Sequence, residues 1–334
     1  MFDFSKWTKS FLPQKTAPSV LGVDFGATGV RIIRISCSSG RFVITHAWMS
    51  RDPNLATFTL PNHLHARAVG IAVSDPDIIS KLLAIPSSTN VLADVPFANL
   101  LGISNPQAFR IAMELDHSTA LKTHALVAAI PETTAVAAIR PFSHGFPAPQ
   151  SLEVAGLAAI NGMILENPAI REQGAILLDL GAETATVAII VLQKLAFTRQ
   201  FRIGANAIMR KLGESLGMDG DTAREAVGEG LVDAVDQVQA AYEPLARQIN
   251  LGRDFVSRSH NVRTEHLVVS GGLFQTPFWT QPLEAALGVD VTVWNPLAVL
   301  PVTPGALTPE LVAQGCRFAA AAGAAIAALE IKKP

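Results

Sequence analysis

At 334 residues the chain exceeds what one ordinary hydrophobic core organises, so its length predicts two lobes or one domain with large insertions. Hydrophobic residues at 49% and charged residues at 16% exclude a disordered chain or a fibre. With 26 basic against 28 acidic side chains, a net charge of -2, no general attraction to nucleic acid is expected.

In residues 1–18, Phe4, Trp7 and Phe11 recur at helical spacing, Lys6 and Lys9 lie off that stripe, and Pro13 ends it. This leader either packs on its own domain, stays loose, or meets a membrane surface or partner. No continuous apolar core and cleavage site follow its lysines, so a cytoplasmic location is expected. From Ser19 the pattern changes. SVLGVDFGATGVRIIRIS reads as a β-hairpin around Gly26 to Gly29, and RFVITHAWMS as a third strand. Residues 52–64 are turn-rich. HARAVGIAVS and THALVAAIP then read as strands enclosing a helical stretch near NPQAFRIAMEL, started by Asn105 and Pro106.

Beyond the Pro-rich HGFPAPQ, SLEVAGLAAINGMI reads as a helix. GAILLDLGAETATVAIIVLQKLAFTRQF then repeats the opening strand–turn–strand device. Two helical segments follow, broken at Asp219 to Asp221, with GEGLVD as a helix interruption. HLVVSGGLF is a buried strand running into a Gly-Gly turn, PFWTQPLEAALG a helix, VDVTVW a strand, and residues 310–330 the closing helix. The apolar run Phe318 to Leu329 is 12 residues long, short of the roughly 20 a membrane span needs, so a buried helix is expected there. Cys37 and Cys316 have no CxxC spacing and predict free thiols. His63 and His65 lack the partners of a metal site.

Two apolar strands end in an Asp followed by a Gly two residues later and a hydroxyl shortly after: Asp24, Gly26, Thr28 and Asp179, Gly181, Thr184. Glycine turns let backbone amides approach phosphate oxygens, whereas bare carboxylates repel them. A divalent cation, held by Asp24 and Asp179 through water, reconciles the two and implies nucleotide plus Mg²⁺. The third turn, Ser270-Gly271-Gly272, lets backbone approach a flat base or sugar.

The order of these three turns resembles the actin-like ATPase superfamily: LGVDFGATGVR looks like a first phosphate loop, LLDLGAETATV a second and VVSGGLF an adenosine loop. Within it the chain is similar to the PilM family of type IV pilus assembly proteins, and behind that to the cell-division protein FtsA. The leader, RIGANAI, VTVWNPLAVL and FAAAAGAAIAALE carry the PilM likeness. The resemblance implies an α/β, actin-like (ribonuclease H-like) two-lobed fold with an FtsA-type inserted 1C subdomain. Its first lobe would span 19–175 with the insert at 65–131, its second lobe 176–310 with a helical 2B-like part at 206–264, and residues 311–334 would return to the first lobe.

By the same resemblance, ATP or ADP would be bound by Asp24, Gly26, Ala27, Thr28, Gly29 and Arg31, by Asp179, Gly181, Ala182, Glu183 and Thr184, by Gly204, and by Gly271, Gly272 and Leu273. Arg31 stands where relatives often carry Lys. Where they show Ala-Glu-x-x-Lys beside the ribose, this chain reads Ala223-Arg224-Glu225-Ala226-Val227. Only Glu153 and Asn161 offer polar groups ahead of the second loop to orient water, so slow turnover or none is expected, with nucleotide setting lobe closure.

The implied partner is the cytoplasmic N-terminal peptide of a PilN-like inner-membrane protein, received between core lobe and insert, with other inner-membrane pilus components and self-association as further contacts. The protein would sit peripherally at the inner face of that membrane. A sugar or metabolite kinase and an FtsA-like filament protein are the alternatives. The kinase needs a catalytic base that no residue supplies, and the filament a C-terminal amphipathic helix that EIKKP does not provide.

Overall fold

The computed structural model describes residues 2–3, 19–38, 40–55, 57–86, 96–116 and 122–330. The helical stripe expected at Phe4, Trp7 and Phe11 lies outside them, as does the terminal IKKP. Two sheets share one plan. In the first, Ala148–Val154, Ala68–Val73 and Val20–Gly26 run parallel, and Gly29–Ser38 and Arg41–Ser50 continue them antiparallel. In the second, Asp290–Val293, His266–Ser270 and Ala175–Leu180 are parallel, and Ala185–Val191 and Lys194–Phe201 are antiparallel. Strands covered on both faces lose the in–out alternation of an exposed sheet. AILLDL accordingly carries one polar residue in six, Asp179.

Two helices lie between the sheets. Ala155–Glu166 carries the chain from the first sheet towards the second, and Ala319–Glu330 returns it. Their approach is backbone to backbone: a Cβ on Gly323 would fall 1.8 Å from the Ala158 carbonyl oxygen. Gly22 and Gly70 in the two central strands of the first sheet likewise leave room for the returning helix, where a Cβ would come within 1.8 Å of the Ala321 oxygen and 2.1 Å of the Ala324 oxygen. That helix is buried along nearly its whole length, and among the described residues no helix is long and apolar enough to cross a membrane. The outer face of the second sheet is covered by Ala205–Leu216, Gly220–Gly228, Val235–His260 and Gln281–Leu287.

A three-stranded antiparallel insert, Ile79–Pro86, Lys122–Pro131 and Phe109–Asp116, follows the strand Ala68–Val73. The latter belongs to the first sheet, so the insert's strands begin at Ile79 and not near residue 65. One paired position, Arg199 with Lys81, continues the second sheet into the insert. Phe2–Asp3 pairs with Lys194 and Leu195 on the same strand.

Three expectations are corrected. The helix near NPQAFRIAMEL is a strand, Phe109–Asp116, preceded by one 3-10 turn at Pro106–Ala108 that the Asn105 side chain caps. Phe109, Ile111, Met113 and Leu115 are half-buried and Arg110, Ala112 and Glu114 exposed, a period of two that outweighs the helical preference of Ala, Met, Glu and Leu. Ser151 to Val154 are not helical either. They end the edge strand Ala148–Val154, and the helix starts at Ala155. The closing helix is broken: Pro309–Ala313 ends at Gln314, a 3-10 turn spans Gly315–Phe318, and only Ala319–Glu330 is the buried helix.

Candidate functional site

Each sheet delivers a hairpin to the same cleft, of about 610 Å³. In the first, Asp24 pairs with Arg31 and Gly26 with Gly29 across the two-residue turn Ala27-Thr28. Gly29 has φ +121°, and a Cβ there would strike the Ser50 oxygen at 2.0 Å, so glycine is required. In the second, the Gly181 amide donates to the Thr184 oxygen at 2.9 Å and closes the turn Gly181 to Thr184. The following helix is pinned to that turn, because the Ala205 and Asn206 amides donate to the Gly181 and Ala182 oxygens, both at 2.9 Å. A Cβ on Gly204 would meet the Ala182 oxygen at 2.3 Å.

The third turn closes the cleft. Gly271, φ +121°, sits so close to the second sheet's central strand that a Cβ would lie 2.0 Å from the Leu180 oxygen. Its amide donates to the Cys316 oxygen at 3.2 Å, tying the turn to the segment that leads into the closing helix. Ser270, wholly buried and in register with Asp179, donates its hydroxyl to Asp179 Oδ1 at 2.7 Å.

The two carboxylates dominate the electrostatics. Asp24 is buried, and loss of water raises its pKa from 3.8 to about 6 against the opposing pull of Arg31. Asp179 keeps a sliver of exposure to the cleft, yet enough water is excluded from its carboxyl to raise its pKa to about 7; the Ser270 hydrogen bond lowers it and the charge of Asp24 raises it further. Among the described residues Asp24 Oδ1, which is buried, finds no hydrogen-bond partner. Two enclosed, mutually repelling carboxyl groups, one with an orphaned oxygen, are suited to a divalent cation reached through water.

Arg31 does not project freely into the cleft. It is buried, donates to the Gly29 oxygen at 3.0 Å, the Thr28 oxygen at 3.3 Å and Thr28 Oγ1 at 2.6 Å, and lies 4.0 Å from Asp24 Oδ2. It therefore braces the first turn from within.

Asp24, Gly26, Ala27, Thr28, Arg31, Asp179, Gly181, Ala182, Glu183, Thr184, Gly271, Gly272 and Leu273 all line the cleft. Gly29 and Gly204 do not line it and instead permit the close contacts that shape two of its turns. Glu153 and Asn161 are also outside it: the first is half-buried on an edge strand, the second buried inside a helix. Ala155, at the helix start, lines the cleft there. Arg224 faces the cleft, whereas Glu225 is exposed away from it and Val227 is buried in the second lobe's outer core. Among the described residues no cluster of His, Cys, Asp and Glu forms a ready-made metal cage.

Several lining residues escaped sequence reading. Ser74 and Asp75 follow the strand beside that of Asp24, where parallel strands present their carboxyl ends to a ligand. Arg317 also lines the cleft. Its signal was a single charge leading an almost uninterrupted apolar run, since a charge drawn even partly out of water needs a reason to be there.

The profile of the family described as Type IV pilus assembly protein PilM matches residues 158–329, just over half of the chain. The chain belongs to the PilM family. A solved structure described as a PilM-PilN type IV pilus biogenesis complex superposes with a TM-score of 0.71 at 16% identity, covering 93% of this chain and 98% of that one. The ethanolamine utilization protein EutJ from Carboxydothermus hydrogenoformans gives a TM-score of 0.46 at 13% identity, covering 94% and 91%. No curated protein matches the sequence. The fold is the two-lobed, actin-like α/β ATPase fold, in which this PilM relative's duplicated sheets face each other across the cleft.

Proposed function

We propose that this PilM relative is a nucleotide-binding scaffold of a type IV pilus or related secretion machine, in which ATP or ADP sets the relation of the lobes and is hydrolysed slowly or not at all. The observation that carries the reading is the meeting of three glycine turns, remote in sequence, around one cleft whose acid pair has an unpartnered oxygen. The turns of Gly26 to Gly29 and Gly181 to Thr184 would present amides to the phosphates, and Gly271 to Leu273 would take the nucleoside. Asp24 and Asp179 would hold Mg²⁺ through water. When bound, the metal neutralises phosphate charge; the chain's own residues orient and enclose the ligand. Neither Glu153 nor Asn161 reaches the cleft, and this supports slow turnover or none.

For the partner, the proposal is the cytoplasmic N-terminal peptide of a PilN-like inner-membrane protein, which would hold this chain against the inner face of that membrane. The insert, read as a 1C-type subdomain, supports this with an outer strand, Phe109–Asp116, paired among the described residues along one edge, and strand edges capture extended peptides by main-chain pairing. Calorimetric titration with Mg-ATP, with and without the N-terminal peptide of a co-encoded single-span membrane protein, tests both halves. Saturable binding of each without phosphate release is expected. Rapid turnover, or phosphoryl transfer to a sugar, would sink the scaffold reading.

A further inference from the structure

The cleft has two electrostatic characters. Its hairpins hold the acid pair, and the side next to them, beside the third turn, is cationic. Arg317 lies against that turn: a Cβ built on Gly272 would come within 3.2 Å of its Nε. That Nε is buried and, among the described residues, has no hydrogen-bond partner. From the second lobe, Gly220–Gly228 presents Arg224 to the same cleft, while Ala223 and Val227 of the same helix are buried behind. Among the described residues neither guanidinium forms an ion pair. Burial first, then the charges of Arg31, Arg224 and Arg51, pull the Arg317 pKa down from 12.5 to about 10.

Two nearby carboxylates are otherwise engaged. Asp219 is spent on its own helix cap, accepting from the Asp221 and Thr222 amides and the Thr222 hydroxyl. Glu214 accepts from Arg210 at 3.1 Å. Asp221, three residues before Arg224 and also on the cleft, forms no ion pair with it. Two neighbouring guanidinium groups left unpaired, one with a buried donor unused, are stabilised by an anion placed between them.

We infer that this side of the cleft accepts a phosphate carried on the sugar, so that the preferred ligand is a nucleoside polyphosphate bearing an additional 2′- or 3′-phosphate on its ribose. The inference rests on the nucleotide reading above and adds the sugar substituent to it. Arg317, reaching from the segment ahead of the closing helix, and Arg224, from the second lobe, would bind this phosphate from two sides. An unsubstituted ribose offers them only hydroxyls.

Isothermal titration of the full chain with Mg²⁺ and either ADP or ADP carrying a 2′- or 3′-phosphate tests it. At least one substituted ligand is expected to bind about tenfold or more tightly than ADP, and Arg224→Glu should bring that ratio to about one or below. Arg224 is exposed, and a melting curve checks that the variant folds. Arg317→Gln should lower the ratio independently. If ADP binds and neither added phosphate tightens it, or if Arg224→Glu leaves the ratio intact, the inference fails while the nucleotide reading stands. If no ligand binds, both fail together.

Discussion

Asp179→Asn is expected to weaken Mg²⁺-dependent nucleotide binding about a hundredfold or more while leaving the ligand-free protein as stable as before, or more so. Removing one of two carboxylates that share a cation leaves the metal's charge poorly compensated, a loss of roughly 3 kcal/mol. In the ligand-free protein the same carboxylate is a burden. Burial and the charge of Asp24 raise its pKa to about 7, and Asn keeps an oxygen for the Ser270 hydroxyl without the charge.

The pH dependence follows with a definite sign. A carboxyl whose folded pKa lies above its unfolded value binds more protons when folded, so stability is full below pH 3.8 and falls as pH rises to about 6 for Asp24 and about 7 for Asp179. Urea unfolding between pH 4.5 and 7.5 should show this fall, by a few kcal/mol, and Asp179→Asn should flatten its upper part. Mg-nucleotide binding should release protons at pH 6 and almost none at pH 8, as measured by titration in buffers of different ionisation enthalpy. Nucleotide binding that is indifferent both to Mg²⁺ and to the substitution would overturn the role given to the acid pair.

The second large effect is expected at Gly323. Val at this position would drive a side chain into the Ala158 carbonyl, which an added Cβ alone would approach to 1.8 Å. Both atoms belong to buried helices that join the two lobes, so neither can yield without parting the sheets beyond. A cost of about 3 kcal/mol or more is expected, read as a lower unfolding midpoint or loss of soluble protein. Gly228→Ala is the control. At the end of an exposed helix its Cβ would make only ordinary contact, 3.9 Å from the Trp279 ring, so this change should be neutral or mildly stabilising. Equal damage from both substitutions would show that the tight helix contact is not the cause.

Much of the architecture was legible because it rests on local signals. Asp24 and Asp179 stand out as acids ending apolar strands, and the Gly turns after them announce hairpins. The pairing of these acids across one cleft was inferred from their repetition and from the order of the three turns, which resembles that of actin-like ATPases. What failed had a physical cause. Phe109–Asp116 is built largely from good helix formers, so composition argued for helix while alternation argued for strand. Ser151 to Val154 read as the start of a helix because a short edge strand runs into Ala155–Glu166 without a turn residue between. The cationic side of the cleft was illegible for another reason. Arg224 and Arg317 are far apart in the chain, belong to no motif, and line one cleft only when the segment before the closing helix comes back against the third turn.

The single paired position between Arg199 and Lys81 has a mechanical consequence. The insert is tethered by its peptide chain to one half of the molecule and stitched by hydrogen bonds to the other. Gln200 adds to the stitching by donating to the Asp75 and Ile78 oxygens, and Arg202 by donating to the Pro76 oxygen. Helices in backbone contact cannot slide far, so swivelling of the halves would be taken up at this narrow seam, far along the lever from its pivot. A peptide held on the insert's outer strand, Phe109–Asp116, would feel the filling of the cleft as a shift of its whole platform.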